Sequence, residues 1–387
     1  MTRRDLLINA GQTLLAAGLT GEFAPISLPP TSAPTERQPG PAPLPEPPAK
    51  RLGVAVVGLG NLALTQIIPA FGESKNCKLA ALVSGSPAKA AEVAAQYGLP
   101  ARSIYNYQNY ENLRDNPDVE IIYIVLPNSM HAEFTVRGAR AGKHILCEKP
   151  MANSVAECRI MIDACRAANR KLMIAYRIQY EPNNRFIREL IRTQRFGPVK
   201  VIEAVNGQNQ GDPNQWRLKK ALAGGGSLPD VGLYCLNTTR FLLGEEPTEV
   251  SANLYSTPGD PLFREVEESV TWQMRFPSGV LSNNATSYGF HEDRRYRVHA
   301  ATGWFGLDPA FSYSGLRMEV SYALGPVEHR ETPSLEPKNQ FALEMDHMAE
   351  CVMQNKTPLT PGEEGLQDHR IMAAIYESAH NGRPVTV

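Results

Sequence analysis

The 387-residue chain lacks several features that would point directly to a particular class of protein. Its formal net charge is only -1, so no bulk excess of charge indicates a nucleic-acid or acidic-membrane partner. Its six cysteines include no C-x-x-C pair and no Cys/His metal spacing, which favours buried, small apolar side chains over a metal site. No internal repeat is visible, and 42% hydrophobic residues over this length predict two packed domains.

The stretch from Arg51 to Ala63 carries the most informative pattern. An apolar strand, Leu52 to Val57, runs directly into a G-x-G-x-x-A turn, and an apolar helix is predicted over Leu64 to Phe71. Such a strand–turn–helix unit binds a dinucleotide, because the bare turn and the helix N-terminus present free N–H groups to the pyrophosphate. The predicted contacts are Gly58, Leu59, Gly60, Asn61 and Leu62.

The end of the second predicted strand, Lys78 to Ser84, indicates which dinucleotide is bound. Proteins that use NAD place an acidic residue there for the ribose 2′-hydroxyl. Ser84 and, five residues on, Lys89 stand in that region instead, and a hydroxyl with a lysine suits a 2′-phosphate. NADP is therefore favoured over NAD. The alternative is that Ser84 is a turn residue and Lys89 a solvated helix residue.

Two further predicted strands end in loops with polar residues. Asp118 to Leu126 is followed by Pro-Asn-Ser-Met-His, and Lys143 to Cys147 is followed by Glu-Lys-Pro. Ligands bind at the carboxyl ends of strands in open α/β sheets, so both loops are candidates for cofactor contact. A histidine that caps the following helix is an equal alternative for the last residue of the first loop. The candidate residues are Pro127, Asn128, His131, Glu148 and Lys149.

The pattern changes after Arg177. A helix over Asn183 to Thr193 leads into successive strand-like segments without intervening helices, which implies an antiparallel sheet. The predicted strands are Val199–Val205, Glu249–Tyr255, Val266–Phe276, Val280–Ser287 and Tyr296–Thr302, with closing helices over Asn339–Gln354 and Glu363–Asn381. The predicted fold is an α/β Rossmann domain (51–177) followed by an α+β domain (178–387) with an open, mostly antiparallel sheet.

The first 50 residues read as two segments outside this fold. Residues 1–24 begin with Thr-Arg-Arg-Asp-Leu-Leu and a modest apolar run, which is typical of a twin-arginine export signal. A leader that stays in the cytoplasm is the alternative, and no clear A-x-A cleavage site is present. Residues 25–50 are proline-rich and favour an extended arm, which is either a spacer or a strand of chain along a neighbouring subunit.

Several motifs together resemble the family of glucose–fructose oxidoreductase and inositol dehydrogenase. They are GLGNLA, LPNSMH, CEKP, QWRL and GGGSLPDVGLY, and the last, with Asp230 and Tyr234, resembles the glucose–fructose oxidoreductase branch. The resemblance implies tightly bound NADP, sugar substrates, periplasmic location and a homo-oligomer, either dimer or tetramer, built on the open sheet. It also implies that Tyr107, Arg177 and Tyr313 contact the cofactor.

The sequence departs from the family pattern in two ways. Asn61 and Leu62 replace a lysine–tyrosine pair in the glycine turn, which bears on the grip on the phosphates. Gln179 stands where a histidine is usual, which bears on sugar preference.

Trp216 and Arg217 are expected to close over the nicotinamide and phosphates, with domain packing and solvation as the alternative.

The catalytic residues predicted from this pattern are Tyr234, Lys149 and Asp230. Oxidation of an alcohol needs a base for the hydroxyl proton, and we expect Tyr234 to be that acid/base. A tyrosine near neutral pH keeps its proton unless a cation favours the phenolate, and Lys149 is expected to supply the charge. Asp230, one helical turn before Tyr234, is expected to orient Lys149 or the sugar.

The predicted function is oxidation of an aldose to its lactone and reduction of a second sugar, such as fructose, on the same NADP by ping-pong kinetics. Two alternatives stay open. One is an aldose dehydrogenase that releases NAD(P)H at each turnover. The other is an NAD-dependent glycoside hydrolase of the same fold, which cleaves a glycoside without net redox change.

Overall fold

The computed structural model describes residues 51–387. The predicted export signal and proline-rich arm lie outside the described residues and stay predictions. The described residues up to Ala323, together with Glu328–Val387, form one compact unit. Within it are two sheets, one of six strands and one of nine.

The six-stranded sheet is parallel, in the order β3-β2-β1-β4-β5-β6. Its central strands are buried along their whole length, as expected for a sheet with a layer on each face. The chain order reverses between β1 and β4, which creates a crevice at their carboxyl ends. The strands are β1 Leu52–Val57, β2 Cys77–Val83, β3 Ile104–Tyr105, β4 Ile121–Ile124, β5 His144–Glu148 and β6 Leu172–Ala175.

Helices connect these strands. The segment after the glycine turn was predicted as one helix but forms a π-helical turn, Ala63–Ile67, that continues as a three-residue α-helix, α1 (Ile68–Ala70). Pro69 lies within this segment and has no N–H to donate, which accounts for the interrupted helical pattern. The other helices of this half are α2 Pro87–Gln96, α3 His131–Arg140 and α4 Val155–Ala167.

The nine-stranded sheet follows the order β14-β13-β12-β11-β7-β10-β9-β8-β15. Strands β7 and β10 run parallel, whereas the other strand pairs with a defined register are antiparallel. This confirms the open, mostly antiparallel sheet. The strands are β7 Val199–Gly207, β8 Glu249–Tyr255, β9 Ser269–Arg275, β10 Leu281–Ser287, β11 Asp293–Ala300, β12 Gly303–Leu307, β13 Met318–Leu324, β14 Val327–Glu331 and β15 Val385–Thr386. The last four were not predicted.

The second half also contributes five helices in the described part of the chain. One of them, α8 (Gln340–Met353), places Phe341, Met345 and Met348 in the core beneath the six-stranded sheet. The C-terminal part of the sequence thus completes the packing of the N-terminal sheet, and the predicted domain boundary at 177/178 stays a prediction. The other four are α5 Pro182–Arg192, α6 Lys220–Ala223, α7 Leu233–Leu243 and α9 Gly362–Asn381.

All six cysteines are free and buried, as the sequence pattern predicted. Within residues 51–387, His, Cys, Asp and Glu side chains form no group of three or more that could hold a metal ion. Nor does any helix of that region combine the length and apolar character needed to cross a bilayer.

Candidate active site

The glycine turn is built for close approach of a ligand. Gly58 has φ +95°, and a side chain there would collide with the carbonyl oxygen of Val125 on the neighbouring strand. A Cβ on Gly60 would meet no described atom within 4 Å, so the space above the turn is open. Leu59 is buried beneath the turn, while Asn61 is exposed at its rim. The residues present therefore fit a pyrophosphate on this turn.

The predicted ribose side of the crevice lies at the end of β2. The Ser84 hydroxyl accepts a hydrogen bond from the Ser86 N–H (3.1 Å), so it acts in the turn as the alternative interpretation proposed. Lys89 is exposed and its Nζ lies 3.4 Å from the Leu59 carbonyl oxygen, which brings its charge to the glycine turn. The Tyr107 ring packs over Gly85, where a side chain would displace it. The structure therefore brings these three predicted residues to one edge of the crevice.

The loop after β4 is fixed by buried hydrogen bonds. Asn128 donates from Nδ2 to the Ala223 carbonyl oxygen (2.9 Å), which joins the loop to α6 of the second half. His131 is fully buried, and both ring nitrogens lie 2.9 Å from carbonyl oxygens, those of Pro150 and Leu126. It therefore joins the loops after β4 and β5 instead of presenting a nitrogen to the crevice. Pro127 is half-buried at the start of this loop.

Asp230 is the centre of the polar cluster. Its carboxylate lies 3.3 Å from Lys149 Nζ and 3.0 Å from Arg217 Nε, and it accepts a hydrogen bond from Tyr288 (2.7 Å). Lys149 Nζ also donates to the Asp230 carbonyl oxygen (2.7 Å). Burial opposes ionisation of Asp230, but Arg217 and Lys149 outweigh it and lower the pKa of the carboxyl group to about 2. The sequence did not single out Tyr288, whose position at the end of β10 depends on tertiary packing.

The same neighbours keep Lys149 charged. Burial alone would lower the pKa of the Lys149 ammonium, yet its interactions with Tyr234 and Asp230 raise it above the ordinary value. The ammonium lies 4.5 Å from the centroid of the Tyr234 ring, over its face. Lys149 therefore contacts the ring of the predicted acid/base and is held by Asp230.

Arg177 makes the direct contact with the Tyr234 hydroxyl. Its Nε donates to Tyr234 Oη (3.2 Å), and its guanidinium lies 4.7 Å from the ring centroids of both Tyr234 and Tyr313. The other guanidinium nitrogens donate to Gln340 Oε1 (2.6 Å) and to the carbonyl oxygens of Phe311 (2.6 Å) and Ser312 (3.3 Å). The sequence predicted Lys149 as the cation beside the hydroxyl, whereas the structure places Arg177 there.

The remaining candidates lie around this cluster. Trp216 stacks against Arg217, whose guanidinium lies 4.6 Å from the indole centroid. The anion that Arg217 contacts is the Asp230 carboxylate, so its predicted pairing with phosphate stays a prediction. Tyr313 is 48% exposed, which leaves one side of its ring open to a ligand. Glu148 points inward, where it accepts a hydrogen bond from Tyr123 (2.8 Å).

Gln179, expected to bear on sugar preference, is buried and hydrogen-bonded to neighbouring side chains. Its amide nitrogen donates to Asn237 Oδ1 (2.9 Å) and Glu364 Oε1 (3.2 Å). These acceptors belong to a buried network that also holds Arg240, 2.6 Å from Asp368. Gln179 is thus bonded to Asn237 of α7, the helix that also carries Tyr234, and its influence on sugar preference stays a prediction.

The arrangement suits transfer of a proton beside a bound dinucleotide. A partly buried phenol lies next to two cations, at the carboxyl ends of the strands of the parallel sheet. A donor to the phenol oxygen and a nearby ammonium both stabilise the negative charge that develops on this oxygen during proton exchange with an alcohol. The glycine turn fits the phosphates, and the open face of Tyr313 leaves room for a planar ring.

Comparison with known proteins shows the family to which the chain belongs. Residues 52–176 match the oxidoreductase family with an NAD-binding Rossmann fold, and residues 184–306 match the GFO/IDH/MocA C-terminal domain. The chain is 31% identical over 336 residues to D-xylose 1-dehydrogenase [NADP(+)] of Haloarcula marismortui, covering 84% of this chain and 90% of that protein. It is 30% identical to D-xylose 1-dehydrogenase (NADP(+)) 2 of Haloferax volcanii, over 85% of this chain and 98% of the relative.

A crystal structure of aldose–aldose oxidoreductase from Caulobacter crescentus, complexed with glycerol, superimposes with a TM-score of 0.84. The two sequences are 46% identical, and the superposition covers 87% of this chain and 100% of the Caulobacter crescentus chain. These relatives are named as xylose dehydrogenases and an aldose–aldose oxidoreductase, so the glucose–fructose oxidoreductase branch stays a prediction. The chain therefore belongs to the oxidoreductase family that joins an NAD-binding Rossmann fold to a GFO/IDH/MocA C-terminal domain.

Proposed function

We propose that the protein is a sugar oxidoreductase that oxidises an aldose to its lactone and reduces a second sugar on the same bound NADP. The observation that carries the proposal is the cluster of Tyr234, Lys149, Asp230 and Arg177 at the carboxyl end of β5, beside an open glycine turn. The name of the 46% identical relative, an aldose–aldose oxidoreductase, supports a reaction between two sugars. Glucose and fructose are the first pair to test.

Each residue of the cluster has its own role in the proposed reaction. Bound NADP would supply the hydride acceptor for the first sugar and, once reduced, the hydride donor for the second. Tyr234 takes the proton of the sugar hydroxyl as the carbonyl of the lactone forms, and returns a proton to the carbonyl oxygen of the second sugar. Arg177 and Lys149 hold the phenol in a field that favours this exchange, and Asp230 fixes Lys149. Closure by Trp216 and Arg217 excludes water.

The preference for NADP rests on what stands at the end of β2. Ser84 replaces the acidic residue that would repel a 2′-phosphate, and the Lys89 ammonium lies at the adjoining glycine turn. Both D-xylose dehydrogenases carry NADP(+) in their names, which supports the same choice here.

A dehydrogenase that releases its cofactor is the second candidate, because two relatives at about 30% identity are named as D-xylose dehydrogenases. The two functions differ in whether soluble cofactor is needed. The deciding experiment records the absorbance of purified protein at the nicotinamide band, without added NADP, before and after glucose and then after fructose.

Under the proposal, glucose raises the reduced-cofactor band and fructose removes it. A band that appears only when NADP is supplied would favour the dehydrogenase. Release of the aglycone from a chromogenic glycoside, with no lasting change in the band, would favour the glycoside hydrolase. Tyr234→Phe is the matched variant and should show neither step at the parent rate.

We also propose that the protein is exported to the periplasm and forms a homo-oligomer, either a dimer or a tetramer. The first proposal rests on the twin arginines, Arg3 and Arg4. The second rests on the outer face of the nine-stranded sheet, which presents exposed side chains such as Glu203, Asn253 and Asn283. Light scattering of the purified protein measures the assembly directly.

A further inference from the structure

Two buried carboxyl groups meet at one phenol behind the candidate active site. Tyr123 Oη lies 2.8 Å from Glu148 Oε1 and 2.8 Å from Glu344 Oε1. Glu148 ends β5 directly before Lys149, whereas Glu344 lies on α8, near the C-terminus of the chain. Tyr123 and Glu344 are fully buried, and Glu148 is 7% exposed.

The number of protons at this junction follows from the geometry. A tyrosine hydroxyl donates one hydrogen bond, so it cannot satisfy two ionised carboxylates. Its second short contact requires a proton on one of the two carboxyl groups. Two carboxylates that share a buried site hold a proton between them, because both cannot ionise at such close range.

The surroundings assign that proton to Glu344. Glu148 accepts a second hydrogen bond, from the Lys149 N–H to its Oε2 (3.3 Å). Glu344 Oε2 has no hydrogen-bond partner among the described residues, and an unpartnered buried carboxylate would be costly. Burial, and then the charge of Glu148, raise the pKa of Glu344 well above its ordinary value. Burial also raises the pKa of Glu148, but the Tyr123 hydrogen bond and the charges of Lys149 and Arg177 oppose that rise.

We propose that Glu344 is a positioning residue for the acid/base centre: a neutral carboxylic acid that acts through Tyr123 to hold the ionised Glu148 beneath Lys149. The hydrogen bonds from Glu344 to Glu148 then all run in one direction. Glu344 donates to Tyr123, Tyr123 donates to Glu148, and Glu148 accepts from the Lys149 N–H. This goes beyond the proposed function and rests on it only for the role of Lys149 and Tyr234.

Loss of this proton would place a second negative charge under the catalytic cluster. That charge would oppose the negative charge that develops in the cluster as the sugar proton is removed, and would slow that step. Replacing Glu344 by the isosteric glutamine removes this ionisation and retains a donor to Tyr123. The titratable or charged groups that interact with the two carboxyl groups are Lys149, Arg177, Tyr123, Tyr180, Tyr313 and Cys147.

The first test measures protonation without turnover. Infrared difference spectra of full-length protein near neutral pH compare the parent with Glu344→Gln and with Glu350→Gln, an exposed site on the same helix. We expect the carbonyl stretch of a protonated carboxylic acid to disappear in Glu344→Gln and to persist in Glu350→Gln. Identical spectra for the parent and Glu344→Gln would show that Glu344 is ionised, and would overturn the proposal.

The stability of the same variants gives a second readout. A carboxyl group whose pKa is raised by folding binds its proton more tightly in the native state. In the unfolded chain the pKa of Glu344 is 4.5. As the pH rises above this value, the unfolding constant of the parent should increase by up to tenfold per pH unit relative to that of Glu344→Gln, until the pH reaches the pKa in the folded protein. Glu350→Gln should follow the parent, and a parallel course for Glu344→Gln would contradict the assignment.

The positioning role is tested by the pH dependence of cofactor reduction by an aldose. Glu344→Gln should lose one ionisation on the alkaline side of the profile and keep at least half the parent rate at neutral pH. An unchanged profile would overturn the positioning role. A Tyr234→Phe protein with the parent rate would refute the proposed function, yet would leave the infrared result intact.

If Glu344→Gln does not fold, Tyr123→Phe serves in its place. It removes the acceptor of the Glu344 proton and keeps the ring. The carboxylic-acid stretch should then move to higher frequency, because the acid has lost its hydrogen bond. No movement would overturn the chain through Tyr123.

Discussion

Replacing Tyr234 by phenylalanine tests the assignment of the acid/base most directly. The change removes one oxygen and leaves the ring between the Lys149 ammonium, 4.5 Å from its centroid, and the Arg177 guanidinium, at 4.7 Å. Within residues 51–387 the hydroxyl has one hydrogen-bond partner, Arg177 Nε at 3.2 Å, and Arg177 keeps its bonds to Gln340 and Phe311. The cost in stability should therefore be about 1 kcal/mol.

The cost in rate should be much larger. Hydride removal without proton transfer would leave a charged alkoxide, and loss of a positioned acid/base slows a reaction by about 10²–10⁴. That corresponds to about 3–5 kcal/mol in the activation free energy. The reduction rate of bound NADP should fall by this factor, while cofactor content and thermal midpoint stay close to those of the parent.

Lys149→Met is the companion change. It removes the donor to the Asp230 carbonyl oxygen and the ion pair with the Asp230 carboxylate. The rate should fall at least as far, because the cluster loses the ammonium over the Tyr234 ring that stabilises negative charge during proton removal. Arg177 still donates to the hydroxyl, so part of this stabilisation should remain.

Stopped-flow reduction of bound NADP by an aldose, followed across pH, measures both variants. Tyr255→Phe, at a side chain 57% exposed on β8, is the control for loss of a phenol hydroxyl and should react like the parent. A Tyr234→Phe protein that reduces its cofactor at the parent rate, under conditions where chemistry limits, would refute the assignment. A bound water would then be the next candidate, since both nitrogens of His131 are already engaged.

Four further outcomes are expected. Acid extraction of the parent should release NADP, and recovery of mainly NAD would contradict this prediction. Ser84→Asp should shift the preference toward NAD, because a carboxylate repels the 2′-phosphate yet still accepts a hydrogen bond from the Ser86 N–H. Arg3→Lys with Arg4→Lys should leave active protein in the cytoplasm, and unchanged fractionation would count against export. A chain that starts at Lys50 should fold but lose NADP on gel filtration or change assembly size; if neither changes, the arm is a spacer. Asp230→Asn should lower the free energy of unfolding by about 2 kcal/mol above pH 3.8, as measured by denaturant unfolding. The parent should lose this advantage as the pH falls toward 2, because its carboxylate then becomes protonated.

The fold was predictable because local patterns carry it. Buried apolar strands that alternate with helices specify a parallel sheet, and successive strands without helices specify an antiparallel one. The predicted bounds of α5, α8 and α9 agree with the structure to within one residue at each end. Strands β12 to β15 were missed, and one of them, β15, is a two-residue edge strand whose pairing with β8 joins parts of the chain that are distant in sequence.

The sequence alone also determined which residue types reach the crevice, because the carboxyl ends of parallel strands meet at one edge of a sheet. The glycine turn, Lys149 and the Asp230–Tyr234 spacing all follow from local sequence. Their partners do not. Arg177 donates to the Tyr234 hydroxyl, 57 residues away in sequence, and Tyr288 donates to Asp230, 58 residues away. Glu344 and Tyr123, which share a hydrogen bond, are 221 residues apart. Tertiary structure decides these contacts because hydrogen bonds and ion pairs depend on distances of about 3 Å, which packing of separate elements sets and no local periodicity encodes.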